Sequence, residues 1–356
     1  MRAGTATGKS FMNSINITKI NSAGVSVVIC CYNSAARLGQ TLEHLARQAM
    51  PESLPWEVLV VVDKASPDDT DVVAVRTWRE AGAPAPLKVI IEEKPGKSPA
   101  LTNGFTNARH DIIVVVDDDN WLNSDYLARA FLLMRQHPET GILGGKITGA
   151  FEVEPPGWFQ HFQAAYAVGA QGKVSGDITE HKRHVAGAGM VVRKSAYELI
   201  KQRGFRPVLT GGRRGNLTAG EDLELCYAVV LAGYRIWYDE NLCLTHFMPK
   251  DRITIESLLE MNRRNRIAGP LQAGYEIALR GTDASPLKFY LHRVLLLGSW
   301  LLKSALKFLL QRESWLALRI AFSDWTQSLF DYAELRRVFR LHYPEILKLK
   351  PGNAPK

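Results

Sequence analysis

The sequence predicts an α/β fold, a mostly parallel sheet flanked by helices and followed by a helical C-terminal region. Three observations carry this. Strand-like and helix-like segments alternate four times between Val25 and Ile147, the rhythm of a parallel sheet with helices on both faces. The strand-like segments are continuous apolar runs rather than alternating ones, as expected of strands buried on both faces. Beyond Thr254 every periodic segment reads as helix. We therefore expect a loose leader over residues 1–24, a catalytic-type α/β domain over 25–250 and a helical, basic region over 251–356.

In chain order, Val25–Cys30 is the first buried strand and Cys31-Tyr32-Asn33 turns it. Leu38, Leu42, Leu45 and Ala49 share one helical face, with Pro51 closing the segment. Val58–Val62 is a second strand ending at Asp63. Ser66-Pro67-Asp68-Asp69-Thr70 makes a turn and a helix cap. Leu87–Ile91 is a third strand, and Lys94-Pro95-Gly96-Lys97 loops into a helix through Asn103.

Ile112-Ile113-Val114-Val115-Val116 is the fourth strand, and Asp117-Asp118-Asp119 follow at once. Three adjacent like charges need cations, hydrogen bonds or water to coexist. The carboxyl edge of such a sheet is where ligands bind, and hard divalent cations take oxygen ligands. The competing reading is an acidic turn capping the helix that starts near Asn123. A strand near Ile142–Ile147 comes next, and then the rhythm breaks between Phe151 and Val185. A small-residue turn at Ala186–Gly189 leads into another strand. Glu221-Asp222 opens a helix that reaches Gly233, where acids suit the positive end of the helix dipole. Tyr234–Tyr238 is a further strand, with His246 shortly after it.

The 356 residues are 46% apolar and 22% charged, enough for a sizeable core. The net charge of +8 is uneven. From Leu287 to Lys356 there are 12 Lys or Arg against 5 Asp or Glu, so nearly all the excess lies there. Val294–Leu310 is the most apolar stretch, and Ser299, Lys303, Lys307 and Gln311 recur every four residues along it and just beyond as one polar stripe. Two Lys inside a helix of this length oppose a membrane span. The pattern fits a helix lying in a membrane interface, with a core helix as the alternative. Cys30, Cys31, Cys226 and Cys243 form no C-x-x-C pair and read as reduced thiols of a cytosolic protein. The first 24 residues have no apolar run, so no secretory signal is expected.

These pieces together resemble the family 2 glycosyltransferases, inverting enzymes of the GT-A fold with a Rossmann-like sheet. The resemblance covers about Val25 to Pro249. It rests on the Val25–Asn33 strand and turn, Asp63 after the second strand, the acidic triplet and Glu221-Asp222. The turn departs from the common Pro-Thr-Tyr-Asn form in its first positions, while Tyr32 and Asn33 remain.

The resemblance implies a nucleotide-sugar donor, with Mg²⁺ or Mn²⁺ bridging its diphosphate. It implies donor contacts from Tyr32, Asn33, Asp63 and Asp117, donor or metal contact from Asp118, and reach toward the diphosphate or sugar from Lys97 and Asn103. Asp119 would bind the metal, with Asp117 and His246 as further ligands. Asp222 would be the base that takes the acceptor proton, beside Glu221, whose charge would raise the pKa of one of the two. His184 is a weaker ligand candidate. Trp121, Trp158 and Phe159 would stack on a sugar or lipid, or pack in the core. Arg213 and Arg214 would clamp phosphate, or be solvated.

The implied partners are a glycan or lipid-linked acceptor and an anionic membrane surface, on the inner face of the cell membrane, in polysaccharide or cell-envelope synthesis. Nucleic acid is not expected, since the basic tail carries no known motif. Two rivals are a sugar nucleotidyltransferase and a catalytically silent nucleotide-sugar-binding protein. The first would want a Gly-rich phosphate loop after the first strand, where Cys31-Tyr32-Asn33-Ser34 stands instead.

Overall fold

The computed structural model describes residues 24–211, 218–281, 285–311 and 315–352. Residues 1–23 of the expected leader, and Arg213 and Arg214, lie outside them. By its contacts the chain divides into two compact units.

The first unit holds the described residues up to Ala150, with Ala167–Tyr197 and Arg235–Phe247. It opens with β1 (Val25–Cys31), α1 (Ala35–Ala46), β2 (Trp56–Asp63), α2 (Thr70–Glu80), β3 (Leu87–Glu92), α3 (Lys97–Asn107) and β4 (Ile112–Asp117). β1, β2, β3 and β4 pair in parallel. Every residue of β2 is buried, the apolar run Val58–Val62 on both faces and Glu57 with its carboxylate accepting the Ser26 hydroxyl at 2.8 Å. The leucines of α1 cover one face of these strands, and α1 ends at Ala46, so Ala49 leaves the predicted helical face and donates its N–H to Ser124 O.

After β4 the chain does not pass straight into a helix. It forms a three-residue strand β5 (Asn120–Leu122), and only then α4 (Tyr126–Gln136). β6 (Thr140–Phe151), β7 (Gly176–Asp177), β8 (Val191–Arg193) and β9 (Arg235–Met248) complete a sheet in the order β3-β2-β1-β4-β8-β6-β9-β5, with β7 on β9. β8 runs antiparallel to both β4 and β6, so the sheet is mixed beyond β4. β9 is far longer than the predicted Tyr234–Tyr238 segment because polar residues alternate along it, as on a strand with one wet face.

β6 and β9 approach closely at Gly145, where a Cβ would overlap the carbonyl oxygen of Leu242. A backbone oxygen has no rotamer to escape by. Gly145→Ala is therefore expected to destabilise this unit by about 1–3 kcal/mol or more, read as a lower urea midpoint at unchanged slope.

The second unit holds Phe151–Tyr166, Glu198–Tyr234 and the chain from Met248 onward. It includes α5 (Phe159–Phe162), most of α6 (Lys194–Gln202), α7 (Glu221–Leu231), and four helices, α8 (Ile255–Arg280), α9 (Pro286–Gln311), α10 (Trp315–Ser328) and α11 (Tyr332–Lys348). Thr254 caps α8 by accepting the Ser257 N–H, and Gly281 ends it in the left-handed conformation. Among the described residues no helix is long and apolar enough to cross a membrane.

Candidate functional site

The parallel register sets the carboxyl edge of the first unit. Cys30 lies opposite Asp117, Cys31 opposite Val62, and Asp63 opposite Glu92. The turn after β1, Asp63 and the acidic triplet thus share one edge of the sheet. Tyr32 is 41% exposed there, and Asn33 adopts a left-handed φ of 52°, which Asn tolerates better than most residues.

A network missed at the sequence level fixes this turn. Asn33 N–H donates to Ser66 Oγ (2.8 Å) and Ser34 N–H to Thr70 Oγ1 (3.0 Å). Asp68 accepts from the Ala35 N–H (2.8 Å), Thr70 Oγ1 (2.6 Å) and Ser66 Oγ (2.9 Å). Burial pushes the Asp68 carboxyl up, but these hydrogen bonds outweigh it and hold it below the usual carboxylate range. The signal was present in Ser66-Pro67-Asp68-Asp69-Thr70, read only as a cap. Asp63 accepts its own Ala65 N–H at 2.8 Å, an Asx turn at the strand end.

The three adjacent acids are separated by giving each its own cation or base. Asp117 pairs with Lys97, at the start of α3. Asp118 pairs with Arg37 of α1 at 2.6 Å, and Thr41 Oγ1 donates to the Asp118 carbonyl. Burial and then the neighbouring Asp119 still push the Asp118 carboxyl up. Asp119 is 4% exposed, and its Oδ1 lies 3.3 Å from His246 Nε2.

β5 explains that last contact. Its antiparallel register with β9 sets Asn120 opposite His246. Phe247 N–H donates to the Asp119 carbonyl at 2.8 Å, and Asn120 Nδ2 to Asp119 Oδ1 at 3.2 Å. Trp121 is sandwiched between His44 and Phe247, with ring centroids at 5.6 and 5.3 Å. Asn103 donates to Glu92 at 2.8 Å and accepts from Asn107. His184 contacts the Lys182 carbonyl within a local turn.

No group of three His, Cys, Asp or Glu side chains that could hold a metal occurs among the described residues. Asp119 and His246 offer one carboxylate and one imidazole. That pair fits a divalent ion that takes its remaining ligands from a diphosphate and water.

In the second unit, Gly220 (φ 94°) precedes α7, which begins with Glu221 and Asp222. Leu223 N–H donates to Asp222 Oδ1 at 2.8 Å. Glu221 packs on Gly211, where a Cβ would come within 2.6 Å of its carboxyl carbon. Glu224, only 1% exposed, accepts from the Val208 and Leu209 N–H groups (3.1 and 2.8 Å) and from the Tyr275 hydroxyl (3.3 Å). It ties the segment before the helix to α8. Burial raises its carboxyl to about 7, with Glu221 a minor contributor. Sequence reading singles out Glu221-Asp222 and passes over Glu224 one turn on, whose burial appears only in the fold. Phe159 is buried against Phe151 and Tyr166, with Trp158 at the rim of that aromatic cluster.

An α/β sheet whose parallel strands end in acids has its ligand edge there. Residues 23–267 match the family described as glycosyltransferase like family 2, and the chain belongs to that family. It is 24% identical to the succinoglycan biosynthesis protein ExoA of Rhizobium meliloti over 64% of this chain and 64% of that relative's length. Among solved structures, Staphylococcus aureus TarS 1–349 in complex with UDP-GlcNAc superposes with a TM-score of 0.54 at 18% identity, covering 91% of this chain and 88% of that one. The mannosyltransferase PcManGT of Pyrobaculum calidifontis, in complex with GDP-Man and Mn²⁺, does so at 0.50 and 20% identity, covering 91% and 84%. The fold is the GT-A fold expected from the sequence.

Proposed function

We propose that the chain is an inverting, metal-dependent glycosyltransferase. It moves a sugar from a nucleotide-sugar donor to an acceptor hydroxyl in polysaccharide, lipid-linked glycan or cell-envelope synthesis. The observation that carries this is the buried Asp119–His246 pair at the carboxyl edge of the sheet, in a chain of this family. The donors named for TarS and PcManGT and the Mn²⁺ of the latter support it.

Asp119 and His246 would hold Mg²⁺ or Mn²⁺, with Asp117 beside them, and the ion would supply Lewis-acid stabilisation of the departing diphosphate. Tyr32, Asn33 and Asp63 hold the nucleoside. Lys97 supplies positive charge toward the phosphates, and Asn103 hydrogen-bonds on the same side. Asp222 takes the proton of the acceptor hydroxyl. The new C–O bond forms on the face opposite the leaving group, and the nucleoside diphosphate departs. Residues 25–250 carry this chemistry, and the basic region over 251–356 holds the enzyme at the cytoplasmic face of an anionic membrane.

Thermal-shift screening against UDP-, GDP- and dTDP-sugars with Mn²⁺ identifies the donor. Asp119→Ala, or EDTA on the unaltered chain, is expected to weaken donor binding by about tenfold or more. Unchanged donor affinity and activity in EDTA would remove the metal from the reading.

A further inference from the structure

Strand β3 closes one end of the sheet and pairs with β2, and among the described residues its other edge carries no strand. Such an edge presents unpaired backbone N–H and C=O groups, which natural sheets commonly guard with a lysine. Lys88, the one cation on β3, is turned away from α2 and donates to Asn107 at 2.8 Å. Side chains alternate along a strand, so Val89 and Ile91 share the face that α2 covers. Val89 lines a groove there together with α2, and Ile91 is 47% exposed.

Helix α2 lies over β2 and β3 and packs against α1 on one flank. Thr77 Oγ1 would lie 4.0 Å from a Cβ at Gly39 of α1, which marks that flank. Asp71, Val75 and Arg79 recur every four residues and form one row on the opposite flank. Val72 and Arg76 stand beside the row, and all five residues are exposed. With Val89 they line an open groove of about 480 Å³ along the free edge of the sheet. Asp71, Arg76 and Arg79 make no ion pair with any described residue.

We propose that this edge binds a second copy of the chain, β3 against β3 and α2 against α2 across a twofold axis. Spacing and charge both select that partner. Strands lie about 4.8 Å apart in a sheet. When two β3 strands pair, the helices over the β2–β3 gaps fall two spacings apart. That is about 9.6 Å, within the roughly 8–10 Å of packed helices.

A twofold through Val75 runs the two α2 helices antiparallel. It sets Asp71 opposite the partner's Arg79, and does so twice, because such an interface uses the same patch on both copies. Val75 meets its own counterpart at the axis, above Val89 and Ile91. The row is thus complementary to itself, whereas a partner of one charge sign would leave half of it unmatched. The joined β3 strands run antiparallel, so the two carboxyl edges point to opposite ends and each ligand edge stays clear. The pairing does not depend on the glycosyltransferase reading.

Sedimentation velocity on the full chain over a range of concentrations tests this. A reversible dimer is expected, with a dissociation constant of about 10–100 µM, as for a small interface. Asp71→Arg and Arg79→Asp each set like charges against each other and are expected to weaken the dimer about tenfold or more. Combined in one chain, they exchange the signs and are expected to restore it to within about threefold. Val75→Asp brings two carboxylates together at the axis and should abolish it. All three positions are exposed, so each variant should keep the urea midpoint of the unaltered chain.

A monomer at every concentration, a dimer indifferent to these changes, or single reversals that the double change does not rescue overturns the proposal. So does a dimer that dissolves only with Leu295→Ser and Leu302→Ser, which would belong to the exposed leucines of α9.

Discussion

Replacing Asp222 with Asn is expected to lower sugar transfer by about 10²–10⁴-fold, the usual contribution of a positioned general base, and to leave donor affinity within about twofold. The amide keeps the shape of the carboxylate and its hydrogen bond to the Leu223 N–H, so the helix start is preserved. It cannot accept the acceptor proton. Single-turnover transfer against donor binding by calorimetry separates the two effects. Glu221→Gln is the comparison: its carboxyl packs on Gly211, and its loss should cost transfer far less. Near-unaltered turnover in Asp222→Asn would mean that another group takes the proton.

A second large effect is expected at Glu224. Its carboxyl titrates near 7 in the folded chain, against an ordinary 4.5. The folded state therefore holds this proton more tightly than the unfolded one. The sign follows: the contribution is present in full below about pH 4.5 and is lost as pH rises through about 7. The span corresponds to about 3 kcal/mol. Glu224→Gln, neutral at every pH, should remove that decline, so the two proteins differ more at about pH 8.5 than at about pH 5.5. Glu224→Ala strands the Val208 and Leu209 N–H groups and the Tyr275 hydroxyl. It should cost about 3 kcal/mol or more at either pH. Denaturant midpoints measured at both pH values check all three. A Gln variant that tracks the unaltered chain at both would refute the assignment.

The parallel half of the sheet was legible because its strands are buried on both faces and write unbroken apolar runs. The acidic triplet was legible as a charge cluster at the end of a strand for the same reason, since charge is conspicuous after Val114-Val115-Val116. How the three acids divide was not. That depends on Arg37 and Lys97, which come from two different helices and have no sequence pattern tying them to Asp118 and Asp117. β5 was missed because three residues are too short to show a period, and a strand that short exists only because β9 is there to pair with it. Glu224 was missed because an acid in the first turn of a helix has a sufficient local explanation, and only burial reveals a second role.

The pairing of Asn120 with His246 joins positions more than a hundred residues apart. Bringing such distant points together is entropically costly and comes late, after nearer contacts have formed. The nascent parallel strands can therefore be in place while Asp119 still lacks its imidazole. On the metal reading proposed above, recovery of metal affinity during refolding should trail recovery of helical signal.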